Sequence, residues 1–359
     1  MRSTGRVILA AAGSGKTTWI AERVGEQPTQ RAAVTTFTVL NSERIGDRLH
    51  RAAGRVPAGV RVRTWFSFLL EDLVRPYQNL AGKSARVTGI HLASGQSARF
   101  AKKVTDAYWF DRDDRFYNDK ISEFALLCDD RSGGAVMRRL GRLYCHIYVD
   151  EVQDLAGYDL VLIERVLKAG IPVTMVGDPR QATFSTNHAA KNKRFRGEAI
   201  EQRLRAWERA GLCEIIEHSH SYRCAPEICR VADGLYPNYH PIDSRNADRT
   251  GHDGVFLVSP AHVEAYLTRF APVVLRRESR AEDYSRPALN FGASKGLEFD
   301  RVLVVPTGPI RKWLSTGNVQ HVETGRAKLY VATTRARHSV AFVHDGAEGH
   351  PTSMTRWTP

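Results

Sequence analysis

A glycine-rich loop between a short apolar run and a predicted helix constrains this chain most. Residues 7–18 read Val-Ile-Leu-Ala-Ala-Ala-Gly-Ser-Gly-Lys-Thr-Thr. Gly13 and Gly15 let backbone N–H groups close on phosphate oxygens, and a helix that starts here adds its dipole. Lys16 supplies a positive charge to the β- and γ-phosphates, and Thr17 offers its hydroxyl to Mg²⁺. The predicted nucleotide-binding residues of this loop are Ala12, Gly13, Ser14, Gly15, Lys16, Thr17 and Thr18.

Further short apolar runs recur along the chain and alternate with segments of helical pattern. Continuous β-branched runs are typical of strands covered on both faces, and their alternation with helices indicates parallel α/β sheets. The predicted strands are Val7–Ala11, Ala32–Phe37, Cys145–Val149, Pro172–Val176, Val255–Val258, Val273–Leu275, Val302–Val305 and Val340–Val343. The predicted helices include Thr17–Val24, Ser42–Ala52, Tyr158–Lys168 and Pro226–Leu235.

Two adjacent carboxylates follow the third of these runs. Asp150 at the strand tip can hold the water shell of Mg²⁺, and Glu151 can orient and deprotonate an attacking water. Neighbouring carboxylates at a strand end are costly unless a cation neutralises them, so a helix-capping role explains one of them but not both. After the next strand, Gln181 is within reach of a γ-phosphate. We therefore predict a metal site at Thr17 and Asp150, with Glu151 as the base.

Composition excludes several classes of protein. The 359 residues are enough for two or three domains, and 42% apolar with 25% charged residues excludes a mainly disordered or fibrous chain. No apolar run approaches the length of a membrane span, and we expect no signal peptide. The five cysteines show no regular spacing, which favours free thiols in the cytoplasm. A net charge of +13 favours a polyanionic partner.

In order, these motifs resemble those of superfamily 1 helicases of the UvrD/Rep type. The first half carries the phosphate loop, Asp-Glu-Val-Gln-Asp at 150–154 and Gly-Asp-Pro-Arg-Gln at 177–181. Three further blocks in the second half resemble the family's later motifs: residues 220–223, 294–300 and 329–337. The resemblance implies two RecA-like cores of a P-loop NTPase with ATP bound between them, and Mg²⁺ as the cofactor.

The resemblance also implies roles for single residues of the second half. Arg223 and Arg335 would act as arginine fingers, because a guanidinium stabilises the charge that develops on a transferring phosphoryl group. Glu298 matches the family's ribose contact, although a plain surface carboxylate is the alternative. The expected catalytic residues are Lys16, Glu151, Gln181, Arg223 and Arg335.

Strand-binding residues follow from the same resemblance. Translocases of this type stack bases on aromatic side chains and bind phosphates with hydroxyl or backbone donors. The expected nucleic-acid contacts are Thr36, Phe37, Thr38, Thr64, Trp65, Phe184, Ser294 and Lys295. Packing in the core is the alternative for Phe37 and Trp65. The cluster at residues 108–110 could likewise touch DNA or fill a small helical core, and the basic run at 191–196 could line the strand track or form a solvated face.

Some features depart from the family pattern. No glutamine precedes the phosphate loop, which leaves adenine specificity unsupported, and Asn290 and Gly292 replace the usual Thr and His. Only 72 residues separate Arg223 from Lys295, too few for the large accessory domain of processive members. We predict a first core at 1–74 and 138–217, a small helical insertion at 75–137, a second core at 218–345 and a loose tail at 346–359.

The sequence therefore predicts a compact ATP-driven translocase or helicase on single-stranded DNA, with the 3′-to-5′ polarity that the resemblance implies. RNA is a less favoured substrate. One alternative is a DNA-stimulated ATPase subunit or sensor that does not unwind and works with a protein partner such as a nuclease or a repair or defence factor. A second alternative is a non-enzymatic binding module with a decayed nucleotide site, which the intact motif residues disfavour.

Overall fold

The computed structural model describes residues 5–27, 29–83, 85–93, 95–277, 287–345 and 354–359. The chain divides into two units. The first unit contains the described residues of Met1–Leu9, Lys16–Pro179 and Phe184–Glu217. The second unit contains Ala10–Gly15, Arg180–Thr183 and the described residues of His218–Pro359. Parts of two motifs near residues 10–15 and 180–183 thus belong to the second unit, although they lie early in the chain.

The first unit is built on a six-stranded sheet of order β3-β2-β6-β7-β1-β8, in which the pairs from β3 to β1 are parallel. The short strands β4 and β5 pair separately, also in parallel. The strands are β1 (Gly5–Ala10), β2 (Ala32–Thr36), β3 (Val60–Thr64), β4 (Gly89–His91), β5 (Arg115–Tyr117), β6 (His146–Val149), β7 (Val173–Gly177) and β8 (Cys213–His218).

Helix α7 (Tyr158–Lys168) shows how the helices of the first unit pack, because it buries an apolar stripe. In α7, Leu160, Ile163 and Leu167 recur at helical spacing, and all three join the core with sheet residues such as Ile147 and Met175. The helices are α1 (Lys16–Gly25), α2 (Val39–Ala53), α3 (Trp65–Phe68), α4 (Asp106–Trp109), α5 (Ile121–Arg131), α6 (Ala135–Leu143), α7 (Tyr158–Lys168) and α8 (Ile200–Arg209). A π-helical segment, Leu69–Val74, continues α3, and single 3₁₀ turns cover Val152–Asp154, Pro179–Gln181, Lys193–Phe195 and Gly197–Ala199.

The second unit has its own six-stranded sheet, of order β13-β12-β14-β15-β11-β16, with parallel pairing throughout. Its strands are β9 (His220–Ser221), β10 (Asp243–Ser244), β11 (Gly254–Val258), β12 (Val273–Arg276), β13 (Ala288–Asn290), β14 (Phe299–Val305), β15 (Ala336–Val343) and β16 (Met354–Trp357). Its helices are α9 (Pro226–Leu235), α10 (Val263–Phe270), α11 (Gly308–Thr316) and α12 (Arg326–Thr333), with 3₁₀ segments at Pro260–His262 and Val319–Gly325.

The predicted α/β class is confirmed, and each predicted strand and helix lies within a few residues of its predicted bounds. Four strands of the two six-stranded sheets were not predicted: β3, β8, β13 and β16. All four lie at sheet edges, where exposed and polar residues interrupt the apolar run. In the insertion, β4 and β5 were also not predicted.

The prediction of a loose tail is wrong for its last part. Met354–Trp357 adds β16 to the edge of the second sheet, and Trp357 is only 8% exposed. Its ring packs edge-on against Tyr266 and Phe270, with centroids 5.0 and 5.9 Å away. A tryptophan gains much apolar burial, and this holds the strand in place. Residues 346–353 of the predicted tail lie outside the described residues.

No helix in the described ranges has both the length and the apolar content needed to cross a membrane.

Replacing Trp357 by alanine should destabilise the second unit by about 3 kcal/mol, because a large buried aromatic ring and its cavity are both lost. Urea unfolding followed by circular dichroism would measure the shift of the midpoint. Thr355→Ala, on an exposed position of the same strand, is the matched control and should stay within about 0.5 kcal/mol of wild type. Equal effects of the two substitutions would contradict the anchoring role of Trp357.

Candidate active site

Three neighbouring strands of the first sheet end at the same edge. Leu9 of β1 pairs with Gly177 of β7, and Met175 of β7 pairs with Val149 of β6. Parallel strands bring their carboxyl ends together, and ligands of such sheets bind at that edge. The segments that follow these strands are the phosphate loop, the turn at Asp178 and the carboxylate pair after β6.

The phosphate loop uses its two glycines differently. Gly13 and Gly15 have φ of +76° and +85°, in the left-handed region that favours glycine. Within the second unit, a Cβ on Gly13 would lie 2.5 Å from Ser221 Oγ and 2.6 Å from Arg223 Cβ. The Gly13 carbonyl also accepts a hydrogen bond from the Tyr222 N–H at 2.9 Å. Only glycine allows this approach.

Asp150 is the buried carboxylate of the first unit's site. It follows β6, is 4% exposed, and accepts a hydrogen bond from the Thr17 hydroxyl at 3.1 Å. Burial, reinforced by the charge of Glu151, raises the pKa of Asp150 above its ordinary value, while Lys16 and the Thr17 hydroxyl act in the opposite direction. The structure thus brings together the two predicted metal-binding side chains and places the charge of Lys16 near them.

Glu151 is held in a strained conformation by its neighbours. Its φ of +59° is uncommon for a residue with a side chain, and such strain concentrates at functional sites. Its N–H donates to Asp150 Oδ1 at 2.9 Å, and one carboxylate oxygen accepts from Gln153 Nε2. The other end of the Gln153 amide accepts from the Asp178 N–H at 3.1 Å. A Cβ on Gly177 would collide with this amide oxygen. Gln153 therefore ties the base candidate to the end of β7.

In the second unit, Gln181 and Arg335 are in direct contact. Arg335 Nη2 donates to Gln181 Oε1 at 3.0 Å, and the same guanidinium donates to the carbonyls of Val331 and Leu297 at 3.1 and 3.2 Å. Lys295 Nζ donates to the Gln181 carbonyl at 3.1 Å. Gln181, which follows β7 in the chain, and Arg335, which follows α12, thus meet in one buried cluster.

Arg223, Glu298 and Arg337 form a second charged cluster in this unit. Arg223 Nε donates to Glu298 Oε2 at 3.1 Å, and Arg337 donates to the other carboxylate oxygen. The contact follows from topology, because Glu298 precedes β14, Arg337 lies on β15, and these strands are paired. Burial opposes ionisation, but the hydrogen bond from Arg337 and the charge of Arg223 lower the pKa of Glu298 to about 2.

The predicted strand contacts fall into two groups. Phe184 is 39% exposed and lies against Phe37, with ring centroids 5.6 Å apart, and Phe37 also contacts Phe66 at 6.0 Å. Thr38 and Thr64 cap helices, their hydroxyls accepting from the N–H groups three residues on. This group leaves an aromatic face accessible beside two helix starts.

The other group is buried. Trp65 is 2% exposed and its indole N–H donates to Asp159 at 3.1 Å, an environment that matches its core alternative. Thr36 and Ser294 are at most 1% exposed, and the Ser294 hydroxyl donates to the Phe291 carbonyl. Lys295 is 9% exposed. Contact of these side chains with a strand stays a prediction.

The residues present fit a Mg²⁺-nucleotide. Ser14 Oγ is buried without a hydrogen-bond partner among the described residues, as expected of a hydroxyl that meets a phosphate. Thr17 and Asp150 offer the oxygen ligands that Mg²⁺ prefers. Within the described residues, no group of three or more His, Cys, Asp or Glu side chains could hold a metal.

Sequence reasoning missed several residues of these clusters. Gln153, within the acidic motif, was not assigned a role, and Arg337 was seen only as part of a motif. Arg180 was also missed: it is 5% exposed, and its guanidinium lies over the rings of Tyr239 and Tyr330 at 5.2 and 5.1 Å. The sequence signal for a role of Arg180 is its place beside Gln181 in the Gly-Asp-Pro-Arg-Gln motif.

The fold and this loop define a P-loop nucleoside triphosphatase with two RecA-like α/β units. A protein family described as AAA domain matches residues 1–187, and the chain belongs to this family.

Similar solved structures include viral helicases. A PRRSV helicase has 17% identity and a TM-score of 0.46, covering 98% of this chain and 54% of that one. An Arterivirus nonstructural protein 10 (helicase) has 13% identity and a TM-score of 0.48, covering 94% and 59%. The same Arterivirus protein in complex with DNA has 14% identity and a TM-score of 0.49, covering 94% and 60%. The chain spans 54–60% of the length of these proteins. No curated protein matches it.

Gln153→Leu should lower the ATP turnover number about 10- to 100-fold with little change in the KM for ATP, because Glu151 loses its orienting hydrogen bond. Steady-state hydrolysis by the folded protein would measure this. Gln78→Leu removes a similarly buried amide, 5% exposed in the insertion, and should cost stability without lowering turnover. Unchanged turnover in Gln153→Leu would refute the positioning role.

The Glu298 ion pairs should stabilise the second unit in a pH-dependent way. A carboxyl whose folded pKa is depressed to about 2 contributes stability above its unfolded pKa, and this contribution fades as the pH falls toward 2. The difference in melting temperature between wild type and Glu298→Gln should therefore be constant from pH 7 to about 5 and shrink below that. A difference that stays constant down to pH 3 would contradict this.

Proposed function

We propose that this chain is an ATP-driven translocase or helicase on single-stranded DNA, of the UvrD/Rep type and with 3′-to-5′ polarity. The observation that carries the proposal is the hydrogen bond between Gln181 and Arg335. It joins Gln181, at the end of the Gly-Asp-Pro-Arg-Gln motif, to Arg335, in the last motif of the second half. A nucleotide sensor and an arginine finger in contact can transmit the state of a γ-phosphate.

The chain's own residues divide the proposed work on ATP. Ser14 and Lys16 bind phosphate oxygens. Thr17 and Asp150 would hold Mg²⁺, which would neutralise charge that develops on the phosphates. Glu151, oriented by Gln153, accepts the proton of the attacking water. Arg335 and Gln181 contact the γ-phosphate.

Arg223 is the second proposed arginine finger for the γ-phosphate. Its Nε donates to Glu298 and its Nη1 donates to the Thr334 carbonyl at 3.2 Å. Arg337 also pairs with Glu298, so this carboxylate would keep a cation if Arg223 turned toward a phosphate. The expected ribose contact of Glu298 belongs to the same proposal.

The proposed strand contact of the first unit is the Phe37–Phe184 pair. The partly exposed ring of Phe184 provides a face on which a base can stack, and Phe37 supports it from below. The hydroxyls of Thr38 and Thr64 cap their own helices, and the start of α2 that follows Thr38 is a favourable place for a phosphate. The basic charge of the chain, +13, favours the polyanion.

ATP hydrolysis by wild type should rise strongly with single-stranded DNA, and Glu151→Gln should abolish turnover at either DNA level while ATP still binds. Hydrolysis rates at low and high salt measure both effects, and the stimulation should weaken with salt. Asp130→Asn is the control, because it removes a carboxylate of the first unit that pairs with Arg165 and belongs to none of the motifs. Hydrolysis indifferent to DNA would overturn the translocase proposal.

The alternative, a DNA-stimulated ATPase subunit that does not unwind, is favoured by the short distance between Arg223 and Lys295 in the sequence. Strand displacement on duplexes with a 3′ or a 5′ overhang separates the two functions and tests polarity. Unwinding of the 3′-overhang substrate by the chain alone supports the helicase. Stimulated hydrolysis without displacement supports the subunit, which would need a protein partner such as a nuclease or a repair or defence factor.

A further inference from the structure

An exposed aromatic side chain lies in the insertion, outside the residues assigned above. Phe100 is 99% exposed, and Val104 and Leu92 are 91% and 72% exposed. All three belong to the segment between β4 and α4. Leaving a whole phenyl ring in water forfeits the stabilisation that burial gives such side chains. Several large apolar side chains exposed in one segment are a feature of interaction sites.

The segment is fastened to the insertion on both sides of this ring. On one side, the Ser97 N–H donates to Asp119 Oδ2 at 3.2 Å, and the Ser97 hydroxyl donates to the other carboxylate oxygen. Asp119 is fully buried and forms an ion pair with Lys120 Nζ at 3.1 Å. On the other side, the Trp109 indole N–H donates to the Lys103 carbonyl at 2.9 Å. The exposed ring is therefore carried by an anchored turn.

This turn holds a strained backbone. Ala98 has φ of +43°, in the left-handed region that alanine rarely adopts, and its carbonyl accepts the Ala101 N–H at 3.1 Å. Such a residue persists only where its surroundings impose the conformation, and strain of this kind clusters at functional sites. An anchored and strained turn that presents an unburied aromatic ring is hard to explain by stability alone.

The charge of the turn selects the class of partner. Arg99 and Lys102 flank Phe100 and are both exposed. Between Leu92 and Thr105 the sequence contains three basic residues and no aspartate or glutamate. Of the three, Lys103 is paired with Glu123. A cation, a ring and a second cation within four residues match a phosphate, a base and a second phosphate of a flexible strand.

We propose that residues 97–104 form a second contact for single-stranded nucleic acid, in which Phe100 stacks on an unpaired base. Arg99 and Lys102 bind the neighbouring phosphates. This inference rests on the proposed function and names a substrate contact that the motifs do not include. Because stacking needs a free base face, the contact selects unpaired over duplex nucleic acid.

Binding of a labelled oligothymidylate to the full chain, followed by fluorescence anisotropy, tests this contact. Phe100→Ala should weaken binding about tenfold, whereas Phe100→Trp should keep or improve it, because only stacking is conserved in the second variant. The double variant Arg99→Ala/Lys102→Ala should lower the slope of log K against log salt by about 1.4, since each phosphate contact on a single strand contributes about 0.7. A duplex of the same length should show no effect of Phe100→Ala.

Leu80→Ala and Arg86→Ala are the matched controls, because both side chains are exposed on the insertion outside the turn. Both should bind like wild type. If DNA stimulates wild-type hydrolysis but Phe100→Ala binds as tightly as wild type, the contact is refuted and the proposed function stands. Equal losses in Phe100→Ala and Phe100→Trp would refute stacking. If wild type neither binds the oligonucleotide nor responds to it, both the contact and the proposed function fail.

Discussion

The site of the first unit depends on two adjacent carboxylates at the end of a buried strand, because their charges must be compensated. Asp150 is 4% exposed, so its negative charge beside that of Glu151 is costly until a cation binds. The structure offsets part of this cost with the charge of Lys16, the Thr17 hydroxyl and the Glu151 N–H, which donates to Asp150 Oδ1 at 2.9 Å. The remaining cost favours a bound divalent cation.

The need to hold these two carboxylates in place also explains why position 153 requires glutamine and position 177 requires glycine. An amide can donate to a carboxylate with one end and accept a backbone N–H with the other, which neither a carboxylate nor a hydroxyl does at this span. Gln153 uses both ends, on Glu151 and on Asp178, and is 1% exposed. The amide then occupies the space beside the last residue of β7, so that residue must lack a side chain. The hydrogen-bonded carboxylates of Asp150 and Glu151 thus determine which residues can occupy positions 153 and 177.

The second unit holds its two motif arginines with backbone carbonyls and with polar side chains. Arg335 donates to the carbonyls of Val331 in α12 and of Leu297 before β14, and to Gln181 Oε1. Arg223 donates to the Thr334 carbonyl at 3.2 Å and to Glu298, a carboxylate shared with Arg337. Because Arg337 also pairs with Glu298, this carboxylate has a neighbouring cation that does not depend on Arg223.

The central strands and the phosphate loop could be predicted from the sequence because their signals are local. Val34 or Val302 reads as buried from its neighbours alone, and Gly-Ser-Gly-Lys-Thr has few other uses. Strand β3, Val60-Arg61-Val62-Arg63, alternates in the way an edge strand does, and this period-two signal was overlooked. The hydrogen-bond partners of Trp65 and Gln153 could not be predicted, because Asp159 and Asp178 are distant in sequence and only the fold brings them close.

The insertion shows the same limit most clearly, because its aromatic and basic residues look alike in the sequence. Trp109 and Phe110 are buried against Phe124, with ring centroids 5.1 and 5.9 Å apart, so the helical-core alternative describes them. Lys83 is likewise internal: it pairs with Asp106 and Asp114 and lies 4.6 Å above the Phe110 ring. Cations that neutralise their own fold add nothing to the attraction of a polyanion. Phe100 is therefore distinguished by its exposure. From the sequence alone, the cluster at residues 108–110, which lies in the core, is the stronger candidate for a contact with DNA.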